Sequence, residues 1–189
     1  MPTPQTPTPA RASSGRSRET YARTVVADVS VQDGGALRAE ARRLLDESVV
    51  VISEASDAQG DAPDPQEEID TSAAAALGWC LEPTLGLWPL IEADAVRLIA
   101  IDVNLDEKTA GQIRTRWTVT IKIQDAVTAR ELALAACPTA DIKARAEIER
   151  SFAAAWHWAA EPYAPLAQIP GVIYHPAGVN VEQIFARAR

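Results

Sequence analysis

From Ile113 to Ile123 the chain alternates with a period of two. Ile113, Thr115, Trp117, Val119, Ile121 and Ile123 fall on one side, and Arg114, Arg116, Thr118, Thr120 and Lys122 on the other. A strand sends successive side chains to opposite faces, so the segment predicts a half-buried strand with an oily face toward a core and a cationic face toward solvent or a partner. Every other element has to be arranged around that sidedness.

The run 95–105 carries apolar residues on both faces, Arg97, Ile99, Ile101 and Val103 on one and Val96, Leu98, Ala100 and Asp102 on the other. That pattern predicts a strand in the middle of the sheet. The polar stretch 106–111 then reads as the connection of an antiparallel hairpin leading to the strand that opens at Gln112. Residues 24–31, with Val25, Ala27, Val29 and Val31 on one face, predict a further strand that ends at Asp33-Gly34-Gly35. Leu37, Ala41, Leu44 and Leu45 recur at helical spacing over 36–47, and the β-branched run 49–53 reads as a strand.

Residues 72–81 predict an Ala-rich helix capped by Asp70 or Thr71 and broken beyond by Pro83, Gly86 and Pro89. A helix over 126–136 stops at Pro138. A longer one follows over 140–160, with Thr139 as its cap and i,i+4 pairs Asp141/Arg145, Lys143/Glu147 and Arg145/Glu149. Ile142, Ile148, Phe152, Ala155, Trp156 and Ala159 form its inner stripe. Pro162, Pro165 and Pro170 interrupt the chain, 171–174 adds an edge strand, and 181–189 reads as a short terminal helix. The order of elements predicts an α+β fold, a mainly antiparallel sheet with helices packed on one face.

A length of 189 residues suits one domain, placed at 21–189 behind a disordered Pro/Thr/Ser/Arg-rich arm at 1–20, to whose basic character Arg11, Arg16, Arg18 and Arg23 are assigned. An acidic, solvated loop spans about 54–70. The net charge of −8 makes this an acidic protein and disfavours binding to nucleic acid or to anionic lipid. The two cysteines, Cys80 and Cys137, each flanked by apolar residues, read as buried reduced thiols rather than a disulfide. With no secretory h-region and no apolar run long enough to span a bilayer, the expectation is a soluble cytoplasmic protein without membrane contact.

Chemistry leaves few marks. No nucleophile elbow, phosphate loop or calcium-loop pattern occurs, so neither a metal nor a cofactor is expected. His157, His175 and Asp102 are the candidate catalytic residues, since histidine titrates near neutrality and Asp102 interrupts an apolar strand. Arg114, Arg116 and Lys122 form a basic strand face able to meet phosphates or an acidic peptide, although the acidic loop offers them an internal partner. Trp79, Leu87 and Trp88, in the apolar segment 79–91, are either a lid over the sheet or an interface. The reading that follows is a non-enzymatic interaction or assembly subunit, oligomeric, with a protein partner or a second copy. Its alternatives are a nucleic-acid-binding accessory protein using the arm and the face 114–122, and a small enzyme using a histidine and a carboxylate.

Overall fold

The computed structural model describes residues 19–52 and 64–185; of the arm expected at 1–20, residues 1–18 lie outside them and Thr20 already opens the first strand. Four strands, β1 (Thr20–Val31), β2 (Val96–Thr109), β3 (Gln112–Ile123) and β4 (Val172–Ile184), form one sheet in the order β2-β3-β1-β4, with every neighbouring pair antiparallel. The helices are α1 (Gly34–Ile52), α2 (Pro65–Thr71), α3 (Ala73–Cys80), α4 (Trp88–Glu92), α5 (Ala126–Ala136), α6 (Ile142–Arg150), α7 (Phe152–Ala159) and α8 (Ala164–Ala167). The fold is α+β, as expected.

β3 carries the sidedness read from the sequence. Ile113, Thr115, Trp117, Val119, Ile121 and Ile123 are all buried, while Arg114, Arg116 and Lys122 are exposed. Trp117 lies between Val25 on β1 and Val103 on β2. The inner faces of β1 and β3 meet Leu37 and Ala41 of α1, Leu77 of α3, Leu90 of α4, and Phe152 and Trp156 of α7 in one core cluster. A smaller cluster, Ala133, Cys137, Ala144, Ile148 and Ala155, joins α5, α6 and α7.

Several elements differ from their sequence reading. β2 is an edge strand, not a central one. Its ladder with β3 shifts between Leu98 and Ala100, so Ile99 is an extra residue that changes which side chains face inward. Beyond the bulge, Ile101, Val103 and Leu105 share the inner side with Val96 and Leu98, while Ala100, Asp102, Asn104 and Asp106 lie outside. The hairpin exists, but its strands continue through the polar segment to a tight turn at Ala110-Gly111, where Gly111 takes φ 74°.

α1 runs on through the β-branched residues expected as a strand, since extending an existing helix that meets no Gly or Pro costs less than starting a new element. The described end of the acidic segment is not loop but helix: Asp64 caps α2 by accepting from Gln66 N, and Ile69 is buried. Ser72, rather than Asp70 or Thr71, caps α3. The long helix is two helices. Ser151 is extended between them, so Ile148 enters the small cluster while Phe152 and Trp156 enter the main core. Asp141, not Thr139, caps α6, and Arg145 donates to the carbonyls of Leu134 and Cys137 rather than pairing with Asp141 or Glu149. Ile142, expected inside, is 79% exposed.

Residues 181–184 belong to β4 instead of opening a terminal helix, because pairing with the otherwise bare side of β1 outweighs local propensity. Arg23, assigned to the arm, is a buried member of β1. β4 also has an irregularity: its register on β1 passes from Pro176 to Gly178. Tyr163 enters there, donating to Val26 O and accepting from Gly178 N (3.4 and 3.3 Å), with its ring stacked on Tyr174.

Candidate functional site

Registers place the outer side chains of the sheet in rows across its four strands. One row reads Asp106, Arg114, Asp28, His175; the next reads Asn104, Arg116, Val26, Gly178; the third reads Asp102, Thr118, Thr24, Asn180. Arg114 grips Asp28 with both Nε and Nη2 at 2.8 Å, and this hydrogen bonding holds the Asp28 carboxyl below its ordinary value, with His175 and Lys108 adding weaker pulls. Asp106 pairs with Lys108, and Thr24 Oγ1 meets Thr118 Oγ1 at 2.9 Å. Two depressions of about 400 and 380 Å³ adjoin here, sharing Val26 and Arg116.

The basic stripe is therefore not a bare cationic surface. Arg97, Lys108, Arg114, Arg116 and Lys122 share the face with Asp28, Asp102, Asp106 and Glu182, so its formal charge nearly cancels. Residues 54–63 of the acidic segment lie outside the described residues, and no ion pair joins its described end, 64–70, to the stripe. Asp70 pairs instead with Arg42 of α1. Asp102 forms no ion pair with Arg97, Arg114 or Arg116.

The three candidate catalytic residues stand apart. His175 and Asp102 lie on opposite edge strands with β1 and β3 between them, roughly 14 Å at the usual spacing of neighbouring strands. His157 is exposed on α7, edge-on to the ring of Trp158. Burial pushes the half-buried Cys80 thiol up to about 11, which makes it a poor nucleophile at neutral pH; Cys137 is buried, and both are free. Among the described residues no group of three or more His, Cys, Asp or Glu is arranged to hold a metal ion.

The apolar trio also separates. Leu87 is buried and belongs to the core, Trp79 is half-buried against it, and Trp88 alone is exposed, donating to Glu82 through Nε1. Of the two readings, lid or interface, Leu87 takes the lid's place in the core.

What the sequence reading missed is the inner side of β2. On that side Leu98, Ile101 and Val103 are 36%, 42% and 41% exposed, and the bulged Ile99 next to them in the strand is 52% exposed, an apolar strip on an edge strand. The cause is geometric. Among the described residues the helical layer fills the inner faces of β1 and β3, while on β2 Val96 is buried and Leu105 half-buried, its Cδ1 3.1 Å from where a Cβ on Gly78 would stand. A depression of about 480 Å³ between α1, the 79–85 segment and 165–170 opens onto Ile101 and Trp79. The signal for an edge was present in Asp102, Asp106 and Glu107, since charges interrupting an otherwise apolar strand are a common device at sheet edges.

No protein-family model, no curated protein and no solved structure matches this chain. No helix among the described residues is long and apolar enough to cross a membrane.

Proposed function

We propose that this protein is a non-enzymatic interaction or assembly subunit that works through the uncovered edge of β2. The observation that carries the reading is the exposed strip Leu98, Ile99, Ile101 and Val103. An edge strand offers a row of backbone donors and acceptors, and here that row is bordered by aliphatic side chains which gain about 25 cal/mol per Å² when removed from water. Strand addition recruits both contributions at once. The alternative of nucleic-acid binding draws less support, because Arg114 is already gripped by Asp28 and the carboxylates around it offset most of the face's positive charge.

Size-exclusion chromatography with light scattering tests the reading. The protein is expected to run above its 20.3 kDa monomer mass or to retain a protein partner, and Val103→Lys, at an exposed position, is expected to abolish that association without unfolding the chain. A strict monomer with no partner, unchanged by Val103→Lys, overturns it.

A further inference from the structure

We infer that the partner strand is β2 of a second copy, paired antiparallel about a two-fold axis that passes through the sheet at Val103. The inference rests on the reading of β2 as an assembly surface and adds to it an occupant and a register.

The chain itself narrows the choice. An isologous antiparallel pair places residues from the same face opposite one another, so its two-fold axis passes at a residue rather than between two. The ladder shifts at Ile99 and again between Glu107 and Thr109 leave 100–107 as the uninterrupted run. Centred on Val103, seven residues of each copy pair: Val103 meets itself, Ile101 meets Leu105, Asp102 meets Asn104, and Ala100 meets Asp106. No like charges are directly opposed. Moving the centre one residue back sets Asp102 against Asp102, and one residue forward sets Asp102 against Asp106, both unfavourable cross-strand pairs. The acidic residues of this edge thus select a register rather than forbid pairing.

The centred arrangement also joins the two apolar strips, with Ile101 of each copy beside Leu105 of the other on the inner side of the sheet. The opposite edge does not compete. β4 contains Pro176, which has no N–H to give, followed by a ladder shift before Gly178. With one usable edge per copy the assembly closes as a dimer, an eight-stranded sheet, and does not propagate.

Cysteine cross-linking under an added oxidant reads the register. Opposed Val103 positions bring their Cβ atoms within disulfide reach, whereas Asp106 of one copy lies opposite Ala100 of the other and far from its own counterpart. Val103→Cys is expected to give a covalent dimer, while Asp106→Cys and the parent chain with Cys80 and Cys137 are not, and Ile101→Lys is expected to eliminate the non-covalent dimer. If the protein is a dimer but Val103→Cys cross-links no faster than Asp106→Cys, or Ile101→Lys leaves the dimer intact, the inference fails while assembly through another surface stands. A monomer at every concentration overturns the inference. Should that monomer still retain a protein partner that Val103→Lys releases, the interaction reading stands without it.

Discussion

The guanidinium of Arg23 is enclosed in the core, lying 5.0 Å over the Trp156 ring with Nη1 donating to the Ala160 carbonyl at 2.7 Å. Its Nε is buried without a partner, and burial, opposed by Glu161, draws its pKa down to about 10, so it stays charged at neutral pH. A long side chain in this position holds the core as much by its methylenes as by its charge. Arg23→Ala is expected to cost about 2–4 kcal/mol in urea denaturation, through the void and the orphaned carbonyl. Arg23→Met, which refills the volume, is expected to recover more than half of that loss. Equal losses would show that charge, not packing, is what the site requires.

A second residue-scale prediction concerns pH. Asp28 is held below the ordinary carboxylate value by Arg114, so the folded state binds its proton less readily than the unfolded one. The stability it adds is present above the unfolded carboxylate pKa and is lost as pH falls through the lowered folded value. Asp28→Asn should therefore lower the melting temperature slightly at pH 7, and the difference from the parent should vanish in acid. Both partners are half exposed, so 1 M salt should shrink the neutral-pH difference as well. A gap that widened in acid would contradict the assignment.

Among the elements, the connection from α8 into β4 turns on Gly171, at φ 75°, where an added Cβ would come within 2.2 Å of the Asp33 carbonyl oxygen. Its own carbonyl accepts from the backbone N–H groups of Gln32 and Asp33, tying β4 to the end of β1. Gly171→Ala is expected to destabilise the fold by at least about 2 kcal/mol. By contrast, Gly178→Ala, where no atom lies within 4 Å of the added carbon, should be nearly neutral. Chemical denaturation of the two variants side by side checks this, and comparable losses would refute it.

β3 was legible because its alternation is unbroken and its neighbours on both sides are strands. α5 was legible because Asp125 and Pro138 bracket it. β2 was legible as a strand hairpinned to β3 but not in its place at the edge or its facing, because one extra residue at Ile99 merges two apparent apolar faces into one, and periodicity carries no mark of a bulge. The same limit governed residues 181–184, whose Glu182 and Gln183 suit a helix until β1 offers hydrogen bonds along its open side. The basic face was readable residue by residue, but the pairing of Arg114 with Asp28 depends on which strands are neighbours. That is tertiary information.

For the molecule as a whole, the sheet sets the asymmetry. Its inner face is filled by helices over the two central strands, its outer face is polar and nearly balanced in charge, and its two edges are unlike, one interrupted by Pro176 and the other lined with aliphatic side chains. Covering the second edge completes the burial that the helices leave unfinished. Amide hydrogen exchange followed along β2 at low and at high protein concentration tests this most directly. The account predicts that exchange within 100–106 slows as concentration rises while β4 keeps its rates. Exchange along β2 that is independent of concentration, with and without a protein partner, would contradict it.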